Sequence, residues 1–330
     1  MAPLLFNIYI SDLPTIISRK YVYANDLEIM HADGDWQAVE GVLTKDMATI
    51  GEHLQTWKLK RSITKTVSAV FHLNNKEAKR ELKVNFNNET LPFCSEPKYL
   101  GVMLDRSLTY RRHFESLRKK LTSRVAFLKR LVDSGWGAGA TMLRTATLAL
   151  VHSTAEYCAP VWCRSALTRL IDPTINHALR IVTGCLRPTP ADTLPILAGI
   201  QPAELRRSGA ALSLGRRAKE PGHLLLSALT RPSSADARRL KSRHPFVPAA
   251  QHLISFSDNN NIHAAQWADH QWNAEWADNP KRLHILMPDT CTHTPRMTLP
   301  RRAWVRLNLL RCRTFPFLLV QMGYGLLCGL

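Results

Sequence analysis

The sequence predicts an α+β protein in which short antiparallel strand pairs come first and packed helices follow. Three observations carry that expectation. Short β-prone runs flank the turn-forming pairs Asn25-Asp26 and Asn87-Asn88. Between them, apolar residues from Trp36 to Trp57 recur at helical steps. After Leu108 the period is helical again, through Phe114, Leu117, Leu121, Val125, Leu128 and Leu131.

Taken in order, Pro3 to Leu13 reads as a helix with proline in its first turn. Tyr21 to His31 reads as two short strands around the Asn25-Asp26 turn, because Asn and Asp tolerate turn backbone angles. The Trp36–Trp57 stripe (Val39, Val42, Leu43, Met47, Ile50, Leu54) is an amphipathic helix packed on a sheet, with Asp33 or Asp35 as N-cap. Val67 to Phe71 has strand composition, and Leu82 to Phe86 is expected to pair with Cys94 to Leu104 across Asn87-Asn88. Helices follow at Thr141 to Tyr157 and Arg169 to Gly184, with Trp162 in a core. Beyond about Thr230 the signal weakens. Pro232-Ser233-Ser234-Ala235 and Asp258 to Asn261 read as loops, and Trp267, Trp272 and Trp276 punctuate a short helix.

At 330 residues with 45% apolar composition, the chain has material for a core and about two domains. Lys and Arg number 44 against 26 acids, a formal charge of +18, and the sequence pI is near 10.0. That balance points to a polyanionic partner, with nucleic acid ahead of an anionic membrane. The charge is clustered. Arg106, Arg111, Arg112, Arg118, Lys119, Lys120, Arg124, Lys129 and Arg130 share their stretch with Glu115 alone, and Arg296, Arg301, Arg302, Arg306, Arg311 and Arg313 form an arginine cluster without an acid. The cysteines number 7, without Cys-x-x-Cys spacing; Cys158 and Cys163 are the only close pair, and reduced thiols are expected. Finger-like zinc spacing is lacking, and no run reaches the roughly 20 apolar residues of a spanning helix.

Two adjacent motifs then stand out. Pro3-Leu4-Leu5-Phe6-Asn7-Ile8-Tyr9-Ile10-Ser11-Asp12-Leu13 is followed by Tyr23-Ala24-Asn25-Asp26, and further on comes Lys98-Tyr99-Leu100-Gly101-Val102-Met103-Leu104-Asp105. Together they resemble the active-site helix, the Tyr-x-Asp-Asp turn and the primer-grip hairpin of LINE-type (non-LTR) retrotransposon reverse transcriptases, most of all the jockey-like group. The resemblance implies an RNA-directed DNA polymerase using Mg2+, acting on RNA, DNA or an RNA–DNA hybrid, with a nucleus-plausible location.

The resemblance also assigns residues. Asp26 and Asn25 occupy the two aspartate positions of the turn, so the position of the directly metal-binding carboxylate holds an amide. Asp26 remains as a metal ligand. Two-metal nucleotidyl transfer sets magnesium ions about 3.5–4 Å apart among carboxylates that offset their charge, and an amide carbonyl brings none. Lys65, in the Lys65-Thr66 that matches the family's Lys-Thr, is implied to face the incoming nucleotide's phosphates; a surface lysine at a strand entrance is the equal alternative. Tyr23, Tyr99, Leu100 and Gly101 are implied nucleic-acid contacts, Gly101 as a strand glycine that lets backbone approach the primer. Arg111, Arg112, Arg118 and Lys119 fit a basic, thumb-like helix that meets phosphates without reading sequence.

The family's other metal-binding aspartate lies upstream of the segment with which this chain opens. The expectation is therefore a C-terminal part of the polymerase plus the downstream region: palm remnant over 1–105, basic helical thumb-like and connection region over 106–230, and a weakly structured end over 231–330 with its arginine-rich segment. The family's Cys/His knuckle after that segment has no counterpart here. Three readings stay open: a polymerase fragment without catalysis, with Mg2+ bound weakly or not at all; a binding module for RNA or RNA–DNA hybrid; and a decayed reading frame.

Overall fold

The structure is a computed structural model describing residues 4, 7, 8, 10–62, 64–72, 77–87, 89–132, 137–230, 246–259, 264–278, 286, 287, 289, 290 and 296–312. It divides into two compact units, Met1–Leu108 and Thr109–Leu330. Residues on both sides of position 230 share one core, described below.

In the first unit, most of the Pro3 to Leu13 helix lies outside the described residues; Leu4, Asn7, Ile8 and Ile10 have helical backbone. Strands β1 (Arg19–Tyr23) and β2 (Asp26–Met30) form an antiparallel hairpin whose last pair is Tyr23 with Asp26. The turn is thus Ala24-Asn25, one residue earlier than expected, and Asp26 opens a strand. A two-residue loop is the tightest closure of such a hairpin, and it places Ala24 at φ 50°, in the left-handed region.

Helix α1 (Trp36–Thr56) begins where Asp35 accepts hydrogen bonds from the Gln37 and Ala38 amides, which makes Asp35 the N-cap. Its stripe buries Val39 and Leu43 against Val70, Leu82, Val84, Phe86 and Leu91. Asp46 is an exception on that face. Only 2% exposed, it accepts from the Ile17 amide at 3.0 Å and the Ser18 amide at 2.9 Å, fastening the chain that enters β1. Burial pushes its carboxyl up, hydrogen bonds from Ser18 and Ile17 pull it down further, and the net position is below the usual range.

The expected long pairing of Leu82–Phe86 with Cys94–Leu104 is replaced by two local hairpins. β3 (Asn85–Phe86) pairs with β4 (Glu89–Thr90), and β5 (Lys98–Tyr99) with β6 (Val102–Met103). The turn of the second, Leu100-Gly101, has φ 42° and 86°, positive at both central positions as a type I′ hairpin turn requires. That geometry, and not close approach within a strand, is the structural reason for Gly101. Val67 to Phe71 does not become a strand: Ser68 alone bridges Phe93, through Ser68 N to Pro92 O at 2.9 Å and Cys94 N to Ser68 O at 2.8 Å.

The second unit is helical. Its longer helices are α2 (Arg111–Arg130), α3 (Ala140–Thr147), α4 (Asp172–Thr183), α5 (Ala203–Arg217), α6 (Phe246–Asn259), α7 (Ala264–Ala277) and α8 (Arg301–Arg311). The run expected as one helix from Thr141 instead passes from α3 into a π-helical turn, Leu148–His152. Leu143, Leu179, Val182, Leu197, Leu212 and Trp267 share one core. Trp272 and Trp276 join it from α7, and Ala250 and Ile254 from α6, so residues after 246 continue the same packing. Trp162 is fully buried, edge-on to Phe114 at 5.2 Å, and its indole donates to the Tyr157 carbonyl. It is a core residue, closed to base stacking.

The end of α4 shows how distant segments complete one another. Gly184 takes the left-handed C-cap conformation at φ 74°. The last carbonyls of the helix are then met by side chains of α8: Arg301 bonds Ile181 and Val182, Trp304 Nε1 bonds Val182 at 3.1 Å, and Asn308 Nδ2 bonds Thr183 at 2.9 Å. Helix ends leave such carbonyls without intrahelical partners. Arg301, moreover, brings its charge to the negative end of the helix dipole. The arginine cluster is therefore partly structural, because Arg311 also bonds Asn308 Oδ1 and lies over the Trp304 ring.

Candidate active-site hairpin and basic helical face

Directly paired residues of a hairpin project from the same face. The register Tyr21 with Glu28 and Tyr23 with Asp26 therefore puts two tyrosines and two carboxylates on one side of the β1–β2 ribbon. Tyr23 is 65% exposed at the tip, and Asn25 and Asp26 are exposed with it.

Glu28, one step inward, is the residue that motif reading passed over. Burial pushes its carboxyl above the usual range, against the opposing pull of a hydrogen bond with Tyr99. Burial and the neighbouring Glu28 carboxylate likewise push the Tyr99 phenol up, with smaller contributions from Asp26 and Tyr21. The structure thus brings the Tyr99 hydroxyl to the carboxylate face of the β1–β2 hairpin. The period-two alternation Asp26, Glu28 was the signal available in the sequence.

Lys65 sits on a separate exposed turn, its amide bonded to the Ser62 carbonyl at 3.2 Å. Leu100 and Gly101 are turn residues, as described above. Within Met1–Leu108, Asn25 and Asp26 share the tip of the β1–β2 hairpin, and Lys65 lies in the turn that follows Ser62.

A magnesium centre can be tested against these donors. The tip offers one carboxylate, Asp26, and one amide carbonyl, Asn25; Glu28 is half-buried and engaged by Tyr99. Among the described residues no three His, Cys, Asp or Glu side chains converge as metal ligands. The donor set does not fit a pair of magnesium ions, which needs several hard anionic oxygens in near-octahedral arrangement.

In the second unit, α2 separates its residues cleanly by face. His113, Phe114, Leu117, Leu121, Val125 and Leu128 are buried. Arg111, Arg112, Arg118, Lys119, Lys120, Lys129 and Arg130 are all exposed. Arg111 with Arg118, and Arg112 with Lys119, are seven residues apart on shared ridges, about 10.5 Å along the axis. Arg112 pairs with Glu115 at 3.3 Å on the open surface, where an ion pair holds its partners weakly. Arg124 is committed elsewhere, donating to the Leu150 carbonyl at 3.1 Å.

The start of α2 is electrostatically unfavourable. Tyr110 occupies the N-cap at φ 62° without a side-chain cap, no acid lies in the first turn, and Arg111 and Arg112 bring cations to the positive end of the dipole. An anion lying along this end would relieve that repulsion. Among the described residues no helix is long and apolar enough to cross a membrane.

The chain is similar to Pol polyproteins and RNA-directed DNA polymerases of non-LTR retrotransposons. Over 198 residues it is 27% identical to the Retrovirus-related Pol polyprotein from type-1 retrotransposable element R1 4 of Nasonia vitripennis, covering 54% of this chain and 50% of that protein. The Probable RNA-directed DNA polymerase from transposon BS of Drosophila melanogaster is 24% identical over 199 residues, 56% of this chain and 22% of the relative. The RNA-directed DNA polymerase from mobile element jockey of Drosophila funebris is 28% identical over 138 residues, 38% of this chain and 14% of the relative. The chain thus matches half or less of each relative's length. No protein-family model matches it, and no solved structure does.

Proposed function

We propose that this chain is a reverse-transcriptase-like protein that does not itself polymerise, and that it holds RNA or an RNA–DNA hybrid on the basic face of α2. The observation that carries the first half is the tip of the β1–β2 hairpin. At the position where the resemblance calls for the directly metal-binding carboxylate, the exposed turn presents the Asn25 amide, with Asp26 beside it. An amide in that position leaves transferring phosphates without the charge compensation that two-metal catalysis supplies.

The second half is supported by the face separation of α2. Its exposed cations are spread over 20 residues, about 30 Å of helix. Contacts of this kind go to phosphates and sugar and carry no base specificity.

One preparation tests both halves. The purified chain is titrated with a fluorescent RNA–DNA hybrid over a salt series, and the same sample receives Mg2+ and nucleotides on a primed template. Binding that weakens with salt, without primer extension, is the expected result. Template-dependent incorporation would overturn the first half, and binding indifferent to salt the second.

A further inference from the structure

Two thiols meet from segments that are far apart in the chain. Cys185 Sγ and Cys312 Sγ lie 3.9 Å apart although 127 positions separate them. Cys185 directly follows the left-handed Gly184 at the end of α4, and Cys312 is the C-cap of α8. Both backbones are held independently of the sulfurs, by Asn308 on Thr183, Trp304 on Val182 and the Cys312 amide on the Asn308 carbonyl at 3.0 Å. The thiols are therefore placed by the packing and are not meeting by chance motion.

The two sulfurs differ in surroundings. Cys185 lines an open groove of about 630 Å³ together with His177, Arg180 and Arg187. Arg180 is pinned there by its bonds to the carbonyls of Leu186, Arg187 and Thr189, which hold its charge beside the groove. The Cys312 thiol bonded to the Cys185 sulfur, with the Arg180 charge nearby, lowers the Cys185 pKa to about 7 against the opposing effect of burial, while Cys312 is pushed up in turn by its bond to Cys185 and by burial. Cys185 is itself buried, but it lines the groove that carries Arg180 and Arg187 and has a second thiol, Cys312, beside it, an arrangement suited to thiolate formation followed by disulfide closure. By contrast, burial pushes up the thiols of Cys158 and Cys163, the pair that is close in sequence.

We propose that Cys185 and Cys312 form an oxidisable pair, in which Cys185 is the site of attack on a peroxide and Cys312 resolves the product to a disulfide. In the first step the Cys185 thiolate attacks one peroxide oxygen; an S–O bond forms, the O–O bond breaks and hydroxide leaves, so sulfur loses two electrons to the peroxide. In the second, the Cys312 sulfur attacks the sulfenic sulfur, an S–S bond forms, and the hydroxyl departs as water with the Cys312 proton. The sulfurs must close from 3.9 Å to about 2.05 Å, a matter of side-chain rotation where backbone geometry permits. The bond would staple α8 to the end of α4.

The test uses the full, reduced chain treated with a slight excess of hydrogen peroxide, then alkylated, digested without reductant and analysed by mass spectrometry. The expected product is a single linked pair of peptides carrying Cys185 and Cys312, with the other cysteines alkylated and the unfolding midpoint raised by about 5–10 °C. In Cys312→Ser, dimedone should label Cys185; in Cys185→Ser, Cys312 should remain an unoxidised thiol. Should either variant fail to fold, the peptide map of the unaltered chain decides alone. Cys185 and Cys312 recovered separately alkylated, or joined to any other cysteine, would overturn the proposal.

Discussion

Asn308 donates its side-chain amide to the Thr183 carbonyl at 2.9 Å across 125 positions of sequence, and both residues are fully buried. One side chain of α8 thus completes the hydrogen bonding of α4, beside a glycine whose conformation ends that helix.

Asn308→Leu keeps the branched shape of the side chain but is larger, and it removes both the donor to the Thr183 carbonyl and the acceptor for Arg311, leaving that carbonyl buried without its side-chain partner. A loss of about 1–3 kcal/mol is expected. Urea unfolding followed by tryptophan fluorescence measures it; an unchanged midpoint would mean that the hydrogen bond contributes nothing.

Gly184→Ala faces two obstacles. A Cβ there would lie 2.3 Å from Val305 Cγ2, and the backbone has φ 74°. Overpacking and a left-handed alanine together should destabilise the unit by about 2–4 kcal/mol. Val305→Ala in the same chain should recover the steric part and leave about 1 kcal/mol of backbone cost, so a double-mutant cycle separates the two.

Acid should act on the helical unit through Glu156. Burial raises this carboxyl, but hydrogen bonds from His152 and Arg206 and the Arg206 charge pull it below the usual range. Arg206 binds it through two bonds, of 2.5 and 2.9 Å. With the folded pKa depressed, the unfolded chain takes the proton first as pH falls. The stabilisation is thus complete above the ordinary carboxylate range and is lost as pH falls through that range toward the folded pKa. Glu156→Gln should flatten the stability–pH curve there. A curve as steep as the unaltered one would rule out Glu156.

Glu28 should show the opposite sign. Its pKa is raised in the folded unit, so ionisation opposes folding and stability falls as pH rises from the ordinary value through the folded one. Glu28→Gln is expected to match or slightly exceed the unaltered chain in denaturant midpoint at neutral pH, with no difference below both pKa values. A marked loss at neutral pH would show that Tyr99 needs a carboxylate partner.

Charge removal on α2 should weaken nucleic-acid binding without unfolding. Arg118→Gln with Lys119→Gln is expected to lower the log–log salt slope by roughly 0.7–0.9 for each phosphate that is no longer neutralised. Arg124→Gln serves as the contrast, since Arg124 is bonded to the Leu150 carbonyl and its removal should alter stability and leave the slope nearly unchanged.

Much of this was legible from the residues, and the failures have physical causes. The α1 stripe and its Asp35 cap, the buried face of α2 and the burial of Trp162 follow from periodicity and side-chain chemistry. The strand pairings after Leu82 did not, because short runs of similar composition can pair with several partners, and the turn angles at Leu100 and Gly101 chose the local hairpin. The tip was displaced by one residue because Asn25 and Asp26 suit a turn as individuals, whereas the cross-strand pair Tyr23 with Asp26 decides where the loop sits.

What the sequence determined by itself was local: the Asn25 amide in a turn, the basic face of α2 and the helical periods that bury its opposite side. These depend on residue identity and on neighbours within a turn or two of helix. Only the tertiary structure decided which arginines serve the fold, that Glu28 faces Tyr99, and that Cys185 meets Cys312. Each of those relationships joins segments far apart in sequence, and nothing in local spacing encodes which distant side chain will satisfy a buried carbonyl, carboxylate or thiol.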